Sequence, residues 1–223
     1  MKQIFSGEVF EVIPGSSGMV FSYRRGNTEE GDVILGFKML NFESGAVDDV
    51  AKNVYLLAKF GANYSAVLRN CTNYITAKAL MLSEGKVFLL NLDGSAYLTD
   101  GDGETLWSGQ LKYKGRVPGA LAIHNNSLWG TFYDLDALVR FNLSTLRDEI
   151  RIGKKGGALK NPKGLFIEDN TAYVCSYTGN KTVKIDLSLF TAETLYTFNM
   201  PVSSYIRAKN REYALLKSGL YEL

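Results

Sequence analysis

The chain has 223 residues, 46% of them hydrophobic and 22% charged, which suits one large β domain or two small ones and allows a substantial core. A net charge of +2 excludes a global field that would gather nucleic acid or a membrane surface, so any electrostatic preference must come from charge placement. No stretch reaches the roughly 18 apolar residues that span a bilayer, and two cysteines, Cys71 and Cys175, are too few for a disulfide scaffold in a domain this size.

Met1–Val12 alternates apolar and polar residues and lacks the apolar block of a secretion signal. It reads as a strand of a cytoplasmic protein with reduced thiols. Glu30–Leu35 (EGDVIL) echoes Glu84–Leu89 (EGKVFL), so a first, irregular repeat unit is expected, with a longer first hairpin loop. Ala79–Leu90 (ALMLSEGKVFLL) matches Ala120–Thr131, and Asp93-Gly94 supplies the next turn. Pro118–Leu143 and Pro162–Leu187 then align without a gap, 44 positions apart, matching Leu121 to Leu165, Tyr133 to Tyr177 and Val139 to Val183. Each copy reads as an apolar strand, an Asn-rich turn, a second strand, a polar loop and a third strand, with a fourth closing the unit. The chain ends on Glu212–Leu223 (EYALLKSGLYEL), which resembles Lys86–Leu98 and stops after a third strand.

Four antiparallel strands in a repeat of this length make a propeller blade. The expectation is an all-β fold, a small β-propeller of about five four-stranded blades. The blades are placed at 13–61, 74–112, 118–152, 162–198 and 203–223 plus 1–12, as one domain over 1–223. The N-terminal strand Gln3–Val12 is free to complete the last blade, which pairs two strand edges that would otherwise stand open. Asn161–Leu187 (NPKGLFIEDNTAYVCSYTGNKTVKIDL) resembles the NHL and YVTN-type propeller repeats, which run from Pro-x-Gly through a Tyr-Val strand and a Gly-Asn turn to a Val-x-x-Ile-Asp strand. The resemblance implies a fold. It does not imply an activity, because such propellers include scaffolds, binding proteins and enzymes.

Catalytic motifs are sparse. His124 is the single histidine, so a multi-histidine zinc site is excluded, and its place beside Asn125 and Asn126 marks an exposed turn. Cys175 sits mid-strand with no thiolate-stabilising neighbour. Asp100–Glu104 (DGDGE) fails calcium-loop spacing, since its twelfth position is Leu111. Lys154–Gly157 (KKGG) lacks phosphate-loop spacing. The expected inner strands, Lys78–Leu82, Ala120–Ile123, Gly164–Ile167 and Tyr205–Ala208, hold no Asp or Glu, which argues against an acid/base dyad on the channel wall. No catalytic residue, metal site or cofactor is assigned.

Charge placement offers more. In a propeller, the second-to-third-strand loops and the connectors between blades share one face, and the remaining hairpins share the other. The connectors carry Arg69, Lys114, Arg116, Lys154, Lys155 and Lys160, with Lys163 just after. The opposite hairpins are assigned Glu29, Glu30, Asp32, Asp48, Asp49, Glu84, Asp100, Asp102, Glu104, Asp148, Glu168, Asp169 and Glu193. Tyr133 and Tyr177 occupy equivalent second-to-third-strand loops, beside Asp134, Asp136 and Asn180. The expected site is therefore Tyr133, Asp134, Asp136, Lys154, Lys155, Lys160, Tyr177 and Asn180. Its expected role is a non-enzymatic binding or assembly module whose partner is a protein with an acidic segment, or another anionic ligand, with neither nucleic acid nor membrane involved. One alternative is a lectin-like propeller, against which Leu92 stands in blade two where blades three and four have tyrosine. The other is a hydrolase with a channel-mouth site built from Asp93, Asp134 and Asp136.

Overall fold

The computed structural model describes residues 1–154 and 157–223. Among them, twenty strands form five four-stranded antiparallel sheets arranged as propeller blades. Blade one comprises β2 (Val9–Pro14), β3 (Gly18–Asn27), β4 (Val33–Asn41) and β5 (Val47–Asp49). Blade two comprises β6 (Lys78–Met81), β7 (Val87–Leu90), β8 (Ser95–Thr99) and β9 (Thr105–Gln110). Blade three comprises β10 (Leu121–His124), β11 (Ser127–Phe132), β12 (Ala137–Asn142) and β13 (Asp148–Ile152). Blade four comprises β14 (Pro162–Glu168), β15 (Thr171–Ser176), β16 (Lys181–Asp186) and β17 (Ala192–Thr197). Blade five joins β18 (Val202–Ala208), β19 (Arg211–Leu216) and β20 (Gly219–Glu222) to β1 (Lys2–Ser6). The N-terminal strand thus closes the ring against the C-terminal blade, as the repeat count requires.

Burial follows position within each blade. β7, β11, β15 and β19 are almost wholly buried, because both faces of a second strand meet neighbouring blades. The outermost β9, β13 and β17 are largely exposed. The core is a chain of interblade clusters. Leu128, Phe132 and Phe141 pack with Phe88 and Leu90 of blade two, and Trp129 and Leu138 pack with Val174 and Ile185 of blade four. Tyr173 and Cys175 meet Val202 and Tyr205 of blade five, and Met19 and Phe21 meet Tyr213 and Leu220.

The first blade departs from expectation in two ways. The N-terminal strand was expected to run from Gln3 to Val12, but Gly7, at φ 140°, breaks it after Ser6. The remainder becomes β2, the innermost strand of blade one. Alternation continues across the break, so periodicity could not reveal it. Val33–Leu35 was expected to mirror the second strand of blade two, yet it opens β4, the third strand. The second strand is the ten-residue β3.

Blades one and two share their seam with helical segments. The helix α1 (Lys52–Phe60), followed by the single-turn α2 (Tyr64–Val67), is wedged between them. Tyr55, Leu56, Lys59 and Phe60 are buried, at the i, i+1, i+4 and i+5 spacing that places side chains on one helical face. Among the described residues, no helix is long and apolar enough to cross a membrane.

Candidate functional site

The expected site lies over blades three and four on the connector face. A short 3-10 turn, Tyr133–Leu135, joins β11 to β12, and Tyr177–Asn180 joins β15 to β16. Because the two loops are repeat equivalents in adjacent blades, their tyrosines meet, with ring centroids 6.3 Å apart at an interplanar angle of 54°. Tyr133 is 36% exposed. The pair is therefore interblade packing with an open upper surface.

The polar residues of the two loops divide by role. Asp136 adopts φ 49° and accepts the Asn161 backbone N–H at 2.8 Å. Asn161 donates its amide to the Tyr133 carbonyl and accepts from Thr178 Oγ at 2.7 Å. Asn180 adopts φ 52°, and its carbonyl accepts from Phe198 N at 2.7 Å. Asp136 and Asn180 thus shape the loops. Asp134 is exposed and faces Arg116 at 3.7 Å, a pair worth about 0–1 kcal/mol at such exposure.

Lys160 is pinned through its backbone, which exchanges hydrogen bonds with Ser176 Oγ, while its side chain is free in solvent. Lys154 is exposed in the same connector. Lys155 lies outside the described residues. Lys163 joins the group from a position sequence reasoning left at the margin, with its Nζ 4.2 Å from the centroid of the Tyr177 ring. An ammonium over a tyrosine face is attracted by the ring quadrupole.

On the hairpin side, Lys38, Lys86, Arg140, Lys184, Arg207 and Arg211 sit within 4 Å of a carboxylate, while Arg147 and Lys209 in the hairpin turns hold none among the described residues. Among the described residues, Lys112, Lys114, Lys154, Lys160 and Lys163 of the connector side have no such partner. Two expected placements of charge are corrected. Arg69 belongs to a connector, but α2 carries it down to the hairpin side, where it pairs with Glu104 at 2.9 Å. Asn63 and Asn70 anchor the same descent on Gly101 and Thr105. Glu29, Glu30 and Asp32 lie on the connector side, because the 28–32 turn joins the second strand of blade one to the third. The connector face is thus basic over blades two to four and acidic over blade one.

The channel wall also differs from expectation. β2 is an innermost strand and brings Glu11 to the wall, and β14 extends to Glu168. Each carboxylate is committed to a cation. Lys59 donates to Glu11 at 2.7 Å, with the Tyr55 hydroxyl on the same oxygen, and Arg207 pairs with Glu168. Beside this cluster, burial and then the Lys59 charge hold the Lys78 ammonium below the usual lysine range. Asp93 is turned onto Ser95, whose N–H and hydroxyl it accepts at 2.9 and 2.6 Å. Asp93, Asp134 and Asp136 each hold a different partner. Cys175 is wholly buried, which pushes its thiol up to about 12 and removes it as a nucleophile at neutral pH. His124 lies half-buried in a cleft on the hairpin side, 2.9 Å from Asn125 and 3.3 Å from Asn170.

No protein-family model matches the sequence, and no curated protein matches it. Among solved structures, the fold is similar to selenomethionine-substituted virginiamycin B lyase from Staphylococcus aureus, at 11% identity and a TM-score of 0.53, covering 100% of this chain and 86% of that one. A catalytically inactive His-to-Ala variant of the same lyase, with quinupristin, gives 11% identity and a TM-score of 0.54, covering 97% and 84%. The computationally designed Ika8 protein is similar at 14% identity and a TM-score of 0.48, and this chain spans 58% of it. At these identities the likeness to the lyase is one of architecture alone, and it agrees with the strand order in making the chain a β-propeller.

Proposed function

We propose that this propeller is a non-enzymatic binding module whose connector face, over blades three and four, receives an acidic protein segment or another anionic ligand. The reading is carried by the clustering of unneutralised lysines beside the Tyr133–Tyr177 pair. Lys154, Lys160 and Lys163 hold no carboxylate among the described residues and share the connector and strand beside Tyr177, whereas the unpaired Arg147 and Lys209 of the hairpin side stand apart in blades three and five. Unneutralised charge on one surface attracts an oppositely charged partner over roughly a Debye length, about 8 Å at physiological salt. The Tyr133–Tyr177 pair supplies a rigid, amphipathic contact at the centre, where little conformational entropy is lost on binding. The repeat pattern of Asn161–Leu187 supports placing the chain among NHL and YVTN-type propellers, which include scaffolds. A repeated sugar site is disfavoured by the exposed Leu92 at the position equivalent to the two tyrosines.

The test is binding of a fluorescent oligoglutamate peptide at low and physiological salt. Wild type should bind with a steep salt dependence. Changing Lys154, Lys160 and Lys163 together to Glu should abolish binding and leave the melting temperature within a few degrees. Equal affinity of the variant in low salt would reject the proposal.

A further inference from the structure

On the connector face, β3 and β4 of blade one outrun the strands beside them. β2 pairs with β3 as far as Tyr23, with one further bond from the Arg24 N–H to the Glu8 carbonyl, and β5 pairs with β4 only from Lys38 onward. Residues 25–35 therefore form a two-stranded arm, in which Gly26 pairs with Ile34 and Asn27 with Val33. Its paired part, at about 3.3 Å per residue, stands about 10 Å clear of the blade.

The turn at the tip is well tied. The Thr28 N–H donates to the Asp32 carbonyl at 2.8 Å, the Gly31 N–H to the Thr28 carbonyl at 3.0 Å and the Asp32 N–H to Thr28 Oγ1 at 3.1 Å. Glu29, Glu30 and Asp32 are all exposed on this turn and, among the described residues, have no cation within 4 Å. Arg24, at the base of the arm, is taken by Glu8, so Arg25 is the only cation set against the three carboxylates. Val33 and Ile34, each 41% exposed, add apolar surface beside the tip.

The arm complements the patch of Lys154, Lys160 and Lys163 beside Tyr133 and Tyr177. Within one chain the two cannot meet. In a ring of five blades, the seam between blades three and four lies across the ring from blade one. A folded chain of this length has a radius of gyration of about 17 Å, more than the arm can span. Between two chains the geometry is favourable. A second copy, turned over about an in-plane axis perpendicular to the line from arm to patch, meets the first connector face to connector face. Each blade one then stands over the other chain's blades three and four. Both arms reach both patches at once, and the two-fold symmetry closes the assembly at two chains.

We propose that the connector face is the interface of a face-to-face homodimer, in which Glu29, Glu30 and Asp32 of each chain dock on Lys154, Lys160 and Lys163 of the partner subunit. The inference rests on the reading of this face as a receptor for acidic segments, and it draws the segment from the chain itself. Complementary charge of this kind orients encounter and is screened by salt.

The test is sedimentation velocity of the wild-type chain and two charge-reversed variants. Wild type should be a dimer in low salt and a monomer in high salt. The arm variant Glu29→Lys/Glu30→Lys/Asp32→Lys and the patch variant Lys154→Glu/Lys160→Glu/Lys163→Glu should each be monomeric in low salt. Mixing them should restore a dimer, because the acidic arm of one meets the basic patch of the other and the reversed pair also match. An excess of oligoglutamate should split the wild-type dimer. A wild-type chain that is monomeric in low salt overturns the proposal, as does a dimer that survives reversal of the arm or a mixture that stays monomeric. Oligoglutamate binding by the arm variant separates the two readings. If it is retained while wild type is monomeric, the face receives acidic segments but not its own, and if it is lost as well, the reading of the face falls too. Should a variant fail to fold, the wild-type competition decides, and a dimer that oligoglutamate leaves intact overturns the proposal.

Discussion

Lys59 Nζ lies 2.7 Å from Glu11 Oε2, joining the wedged helix α1 to the innermost strand of blade one. The lysine side chain is 2% exposed and the glutamate side chain 30%. The Tyr55 hydroxyl donates to the same carboxylate, and Lys59 also donates to the Ile75 carbonyl at 3.3 Å. Removing the carboxylate strands an ammonium in the interior. Glu11→Leu should therefore cost about 3 kcal/mol or more. Adding Lys59→Met removes the stranded charge, and the double variant should recover most of that loss. Urea denaturation of the single and double variants measures the coupling. A double variant no more stable than Glu11→Leu would mean that shape, and not the uncompensated charge, sets the cost.

The same pair shows where sequence reading stops. Blades three and four were legible because each residue of one has a counterpart in the other, down to the two tyrosines that meet across the seam. Blade one offered no such template. Its hairpin β3–β4 is twice the usual length, and α1 occupies space that a neighbouring blade fills elsewhere. Once β2 was read as part of an outer strand, Glu11 could not be seen as a channel residue. Lys59 within the apolar run Val54–Phe60 was the available signal, because a lysine on a buried helical face needs a partner. Charge neutralisation was not legible at all. Pairs such as Arg140–Glu149 depend on cross-strand register, and bulges such as the one at Arg140/Phe141 reset it.

Ring closure depends on β1. Residues Lys2–Ser6 pair with Gly219–Glu222, and the Phe5 ring lies 5.2 Å from Phe21 and 4.9 Å from Tyr23. Deleting residues 1–6 should expose the β20 edge together with those aromatic rings. The expected outcome is self-association on size-exclusion chromatography and loss of a single cooperative melting transition. Phe5→Ala retains the backbone ladder and should cost about 2 kcal/mol, lower than for a fully buried phenylalanine because Phe5 is half-buried. A truncated chain that remains monomeric with an unchanged transition would show that blade five is stable with three strands.

Gly164 marks a close approach of blades four and five. A methyl group there would stand 2.5 Å from the Ser203 carbonyl oxygen and 2.9 Å from Ser204 Cα, both backbone atoms that cannot swing aside. Its repeat counterpart is Ala120, so the sequence gives no hint that glycine is required. Gly164→Ala should cost about 2–3 kcal/mol through overpacking. Ala120→Gly should cost less than about 1 kcal/mol. Chemical denaturation of the two variants makes the comparison, and equal costs would mean that the ring relaxes around the added methyl.

Burial of Cys175 sets an alkaline limit on stability. Desolvation pushes its thiol up to about 12 from an ordinary 9.0, against a small opposing hydrogen bond from Thr182. Below pH 9 the thiol keeps its proton in both the folded and unfolded chains, and its contribution is fully present. Between pH 9 and 12 the unfolded chain releases the proton while the folded chain holds it. The unfolded chain then binds fewer protons, so stability falls as pH rises, by about 1.4 kcal/mol per pH unit for this one group. Tyr205 and Tyr213, also raised by burial, add to the decline as the unfolded phenols ionise above pH 10. Cys175→Ala should be less stable than wild type by about 1 kcal/mol near neutral pH, for the lost packing of the sulfur. Above pH 9 that deficit should shrink, because the variant has no thiol to ionise on unfolding. Urea denaturation of both proteins near neutral pH and at about pH 10 reads the change directly. A deficit that stays constant across that range would show that the thiol ionises equally well inside the propeller.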